Sequence, residues 1–266
     1  MSASGAALKD YAPAAASLFN NMKTPASILA GAMIGMGFLS PLPQPPPHIK
    51  AVEPRKKGKK GTEEPELATI IHKSLDRMLR KSYLLVTIFS FGSELLAVIW
   101  STVAVNQLTE TAVAPAASVW ELLKRDWYDL AWSATNSHFL FGMLGFMWMV
   151  GTRAFLMVQA KPWNINPVLA GDEADSLSMS AASILLVASS FLLMMAIVNR
   201  GVATGGGQVG DSYGGSVLSL FQHYIKLLSE QAIGAAIAPA GPLEILSIIF
   251  GVTGFAMAAK AVFVEP

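Results

Sequence analysis

The sequence predicts an all-α fold, a polytopic transmembrane helical bundle with four spans, a short fifth apolar helix near the N-terminus and amphipathic helices at the membrane interface. Three observations predict it. Hydrophobic residues make up 53% of the 266 positions and charged residues only 14%, too apolar a mixture for a soluble domain of this length. Apolar runs at 83–106, 137–157, 179–198 and 245–264 each reach the roughly 20 residues that a helix needs to cross about 30 Å of hydrocarbon. The charges lie between these runs, with ten of the nineteen Lys and Arg residues falling within positions 41–82.

Four segments follow from these patterns: a tail at 1–23, a short helix at 24–40, a Pro-rich and basic loop at 41–65, and a four-span helical domain at 66–266. Thr24 followed by Pro25 reads as a cap with proline at the first helical position. The 16 residues from 25 to 40 would span only about 24 Å, so this helix is either a short span or a re-entrant piece. Ser27, Gly31 and Gly35 recur at four-residue spacing and offer one smooth face for helix contact. The order of charges around this run is the reverse of a cleavable signal peptide.

Prolines from Pro41 to Pro47 form an extended connector, and Arg55, Lys56, Lys57, Lys59 and Lys60 follow as a basic cluster. From Glu64 an amphipathic helix with Leu67, Ile71, Leu75 and Met78 on one side runs without a breaker into the span at 83–106. A second amphipathic segment, 119–131, aligns Trp120, Leu123, Trp127 and Leu130. A third, 217–228, aligns Val217, Phe221, Tyr224 and Leu228. Both are expected to lie along the surface without crossing.

Glu94, at the middle of the span at 83–106, is the leading candidate functional residue. A charged side chain at that depth costs about 2.5–3.5 kcal/mol, so it is expected to be neutral, paired or hydrated. Ser90, four residues earlier, extends a polar stripe toward other helices, and Ser189, Ser190 and Thr253 fall at similar depth in their own spans, as do Gly145 and Trp148. The expectation is an interior Glu94 hydrogen-bonded by Ser90, Ser189, Ser190, Thr253 or a backbone carbonyl. Its functional version is a protonatable site for transport, and its structural version is a bond that holds the bundle together.

Arg77, Arg80, Lys81, Arg153 and Lys260 sit toward the basic side, where long side chains snorkel to the interface. With the cluster at 55–60 they are candidate ligands for anionic lipid headgroups. Cysteine is absent, which excludes disulfides, thiolate metal sites and cysteine nucleophiles. His48, His72, His138 and His223 match no metal or haem spacing, so neither metal nor cofactor is expected. The run Gly205-Gly206-Gly207-Gln208-Val209-Gly210 has a dinucleotide-binding pattern but neither the strand nor the helix that gives the pattern its chemistry. No hydrolase elbow or paired intramembrane acids occur, and the basic run lacks interleaved aromatics, so neither an enzyme nor a nucleic-acid binder is expected.

These readings converge on a non-catalytic integral membrane protein, an accessory or assembly subunit of a larger membrane complex whose partners are lipids and other membrane subunits. The alternative is a small-solute or ion channel or transporter that uses Glu94. The lack of cysteines and of glycosylation sequons fits a bacterial inner membrane or an intracellular organelle membrane.

Overall fold

A computed structural model describes residues 8–42, 64–159, 182, 184–197, 216–237 and 242–263, and these are helical throughout except for short connections. The elements are α1 (Ala12–Met33), continued by a π-helical segment (Ile34–Leu39), α2 (Glu64–Glu110), α3 (Val119–Leu123) and α4 (Asp126–Gln159). They are followed by α5 (Ile184–Ile197), α6 (Val217–Ile237) and α7 (Pro242–Phe263). Four helices are long and apolar enough to cross a membrane: Ala12–Leu39, Asp76–Glu110, Trp127–Met157 and Ile245–Phe263. The chain is thus a helical membrane bundle. In the run at 179–198 the described part is the apolar helix α5, and the basic cluster at 55–60 and the glycine run at 205–210 lie outside the described residues.

α1, α2 and α4 form the core. Along α2, the residues Tyr83, Thr87, Ser90, Glu94, Ala97, Ser101, Ala104 and Leu108 alternate at spacings of four and three, and all are buried. That spacing keeps one stripe facing a partner helix. Its partner stripe on α4 runs through Ala131, Thr135, His138, Gly142, Gly145, Met149, Thr152 and Leu156, at the same alternation. Contacts between the stripes descend in register: Trp100 with Trp127, Glu94 with Gly142 and Ser90 with Gly145, Tyr83 with Met149, and Leu79 with Phe155 and Leu156. The two helices are therefore antiparallel over most of their apolar length.

α1 lies in the groove between them, parallel to α4. Phe19 meets Trp132 edge to face at 5.4 Å, Met33 packs with Tyr83 and Met149, and Gly37 abuts Thr87. Two expectations fail here. Thr24 and Pro25 do not start the helix, because Thr24 donates its hydroxyl to the Asn20 carbonyl and α1 runs through Pro25 from Ala12. Packing overrides the local signal, since the buried positions Phe19, Ala26, Ala30 and Met33 recur on one face across the proline. The Ser27, Gly31 and Gly35 face is not the one used, as nothing lies within 4 Å of a side chain placed at either glycine.

A third difference concerns the segment at 119–131, which is not one amphipathic helix. Ser118 caps α3 by accepting the Glu121 N–H at 3.1 Å, and α3 ends within two turns. Arg125 then turns back to the Ala114 and Pro115 carbonyls at 2.7 and 3.1 Å. α4 starts at Asp126 and continues without interruption into the apolar span. Below this break Trp100, Trp120, Trp127 and Trp132 gather at one end of the bundle, as aromatic side chains do at a membrane interface.

Candidate functional site

The site is built on the α2–α4 seam. Glu94 lies one residue from the midpoint of Asp76–Glu110, and Gly142, which it touches, lies at the midpoint of Trp127–Met157. Glu94 is 0% exposed. A methyl group at Gly142 would come within 2.5 Å of its Cγ and Cδ, and one at Gly145 would overlap the Ser90 hydroxyl. Glycine is needed at both places because the Ser90 and Glu94 side chains occupy the space that a Cβ would fill.

Among the described residues neither carboxyl oxygen of Glu94 has a hydrogen-bond partner, and neither does the Ser90 hydroxyl. Ser133, Thr135 and Ser137 on α4, together with His138 Nδ1, are likewise buried and unpartnered. These groups are confined to one turn of α2 and two turns of α4. Each unpaired buried polar group costs about 1–3 kcal/mol, so their grouping needs a cause.

The partners expected from the sequence are not brought to Glu94. Ser189 and Ser190 are exposed on α5, where Ser190 donates to the Leu186 carbonyl at 3.0 Å, and Thr253 is exposed on α7. The reason is which faces those helices bury. α5 packs on α4 through Val187 against Gly151, and α7 attaches where Lys81 donates to the Ala261 carbonyl at 3.0 Å. Trp148, expected at the same depth, is also largely exposed, whereas Gly145 is in the seam.

Thr135 and His138 were missed as seam residues. Their spacing of seven and four residues before Gly142, matching the stripe on α2, is the signal that identifies them. His138 Nε2 lies 2.7 Å from the Tyr224 hydroxyl, and His223 pairs with Asp129 at 2.9 Å. Burial pushes the Tyr224 phenol up to about 12, so it remains a neutral hydroxyl at physiological pH. Phe141 stacks on Phe221 at 4.4 Å. α6 meets α4 from Phe221 on Phe141, through Tyr224 on His138, to His223 on Asp129, with Tyr224 and Leu227 also packed beside Leu130 and Ala134.

No family model, curated protein or solved structure matches the chain. The site therefore speaks through its own geometry. Among the described residues no group of three or more His, Cys, Asp or Glu side chains is placed to hold a metal ion.

The basic residues at the other end of the bundle have structural partners. Arg153 donates through Nη1 to the carbonyls of Met36 and Ser40 at 3.0 and 3.3 Å, and the Tyr83 hydroxyl donates to the Met36 carbonyl at 2.8 Å. A guanidinium thus meets the negative end of the α1 and π-helical unit, where carbonyls lack helical donors. Arg80 pairs with Asp76 at 2.8 Å, Lys81 holds α7 as described, and Lys260 is engaged as well. Arg77 is exposed.

Proposed function

We propose that the chain is a non-catalytic multi-pass membrane protein that acts as an accessory or assembly subunit of a larger membrane complex. The observation that carries this reading is α7: it is apolar enough to span a membrane, yet none of its apolar window is buried inside the chain. Helices of a self-sufficient bundle bury one face against neighbours, as α2 and α4 do here. The α7 surface includes Gly251 and Gly254, with nothing within 4 Å of either, beside the exposed Phe250, Phe255 and Met257. Knobs next to gaps of this kind fit the surface of another membrane helix.

The up-down-up packing of α1, α2 and α4 supports alternating crossings, and the exposed Lys226 and Glu230 pair on α6 favours its lying along the surface. Arg77, Arg80, Lys81, Arg153 and Lys260 then share one end of the bundle, which suits the side facing cytoplasm, stroma or matrix and its anionic headgroups. A bacterial inner membrane or an organelle membrane fits this arrangement.

Native mass spectrometry of the protein extracted with its own lipids tests the assembly role. We expect a stoichiometric complex with another membrane protein, and loss of that complex on Gly251→Trp with the melting of the isolated chain unchanged. A lone monomer under these conditions would contradict the proposal. A second role, proton handling at Glu94, rests on the unpartnered carboxyl and is independent of assembly.

A further inference from the structure

We propose that Glu94 is a proton-binding site in exchange with solvent at the α4–α6 end of the bundle, reached through Tyr224 and His138 and closed toward the Arg153 end. Three sets of contacts carry the inference. At the α6 end, Asp129 and His223 form a partly exposed hydrogen-bonded pair at 2.9 Å. The next α6 residue, the buried Tyr224, meets the part-exposed His138 about two and a half turns along α4 from Asp129; His138 presents Nε2 to the Tyr224 hydroxyl at 2.7 Å and has a buried, unpartnered Nδ1. One turn further along the same α4 stripe, Gly142 touches Glu94, whose two oxygens are buried and unpartnered. Polar groups thus recur between the partly exposed end and the midplane, with Thr135 also buried and unpartnered on the same α4 stripe.

The chemistry needs no reagent but the proton. The Tyr224 hydroxyl gives its proton to His138 Nε2 and takes one up from solvent, and the imidazolium releases the proton on Nδ1 toward the Glu94 carboxylate, which touches Gly142 one turn further along α4. The neutral acid and neutral imidazole result, and the reverse transfer, from the Glu94 acid to Nδ1 and from Nε2 through the Tyr224 hydroxyl to solvent, restores the carboxylate and the first tautomer. Imidazole suits this relay because its two nitrogens exchange donor and acceptor roles.

In the other direction the path ends. Past Ser90, the Thr87 hydroxyl is already donated to the Tyr83 carbonyl at 2.7 Å, and Met33, Tyr83 and Met149 close the core without exposure above 1%. Beyond them stands Arg153, whose positive charge repels an incoming proton. Among the described residues no other element brings an ionisable side chain to Glu94. The seam on α4 offers glycines and His138, the buried face of α1 at that level is Ala26, Ala30 and Met33, and α5 contains no ionisable residue. On α6 the titratable groups are His223 and Tyr224, with Asp129 of α4 facing them, and the exposed Lys226 and Glu230, which pair with each other at 3.8 Å.

Infrared difference spectroscopy of the full chain in lipid nanodiscs tests the proposal, with Glu94→Gln used to assign the protonated carboxyl C=O band. We expect that band to titrate with pH and to shift promptly in heavy water. Exchange should slow on the order of a hundredfold in His138→Phe, the size of effect that a positioned proton-transfer group supplies. His138→Gln, which keeps a hydrogen-bonding side chain but cannot relay a proton, should slow it equally, so a folding defect in the Phe variant does not decide the matter. In oriented proteoliposomes the band should follow the pH on the α6 side. A band that is insensitive to pH, exchange unaffected by either His138 variant, or a response to pH from the Arg153 side would each overturn the proposal.

Discussion

Replacing Gly145 with alanine probes the α2–α4 seam at its tightest point. The new methyl group would sit 2.7 Å from the Ser90 Cβ and 3.2 Å from the Val86 Cγ1, besides overlapping the Ser90 hydroxyl. Carbon atoms pack comfortably at about 3.5–4.0 Å, so the helices must part by roughly 1 Å or the Ser90 side chain must leave its place. Overpacking of this kind costs about 1–3 kcal/mol. Gly251→Ala is the control, because nothing lies within 4 Å of that position. Unfolding of the purified chain in mixed micelles, followed by tryptophan fluorescence against rising denaturing detergent, should show a clear loss for Gly145→Ala and no loss for Gly251→Ala. Ser90→Gly should recover much of that loss, with a coupling of about 0.5–3 kcal/mol expected for residues in contact. Equal stability of the two alanine variants would refute the close approach of α2 and α4 at Glu94.

Other outcomes follow from the same contacts. Arg153→Ala leaves the Met36 and Ser40 carbonyls without their charged donor and should cost about 1.5–3 kcal/mol in the same unfolding assay, with Arg153→Lys intermediate. The chain has no cysteine, so single cysteines at the exposed Arg77 and Lys124 should react with an impermeant maleimide from opposite sides of a sealed vesicle, and labelling from one side would remove the alternating topology. The Glu121 carboxylate is held below its ordinary 4.5 by the Ala117 N–H and then by Arg125. Its contribution is therefore present above pH 4.5 and is lost as pH falls through the lowered value. Amide exchange at Ala117 should speed up in that acid range relative to Glu121→Gln, and an identical profile in the two proteins would contradict the contact.

The helical class was legible because it rests on composition and run length, which no packing detail alters. The continuity of α2 from Glu64 was also legible, since no breaker interrupts the pattern after the first turn. The start of α1 was not. Thr24 and Pro25 carry a strong local signal, and only the tertiary burial of Phe19, Ala26, Ala30 and Met33 shows that the helix passes through them. The break at Lys124 and Arg125 was hidden for a related reason: Arg125 is held by carbonyls ten and eleven residues away, which local periodicity does not register. At the site, depth identified Glu94 and Gly145, but depth says nothing about direction, and Ser189, Ser190 and Thr253 share the depth while facing outward. The residues that do share the stripe, Thr135 and His138, were within reach of a spacing comparison between the two helices.

The account rests on α1, α2 and α4 forming one bundle along their apolar lengths. Disulfide trapping between Gly37→Cys and Thr87→Cys tests it most directly, because a Cβ at Gly37 would lie 3.4 Å from the Thr87 Cβ, close to the spacing of about 3.5–4.5 Å that a disulfide bridges. Mild oxidation in native membranes should trap this pair quickly, while Ile28→Cys with Ile99→Cys, both on exposed faces, should stay reduced. Trapping of the second pair as fast as the first, or no trapping of the first, would contradict the bundle.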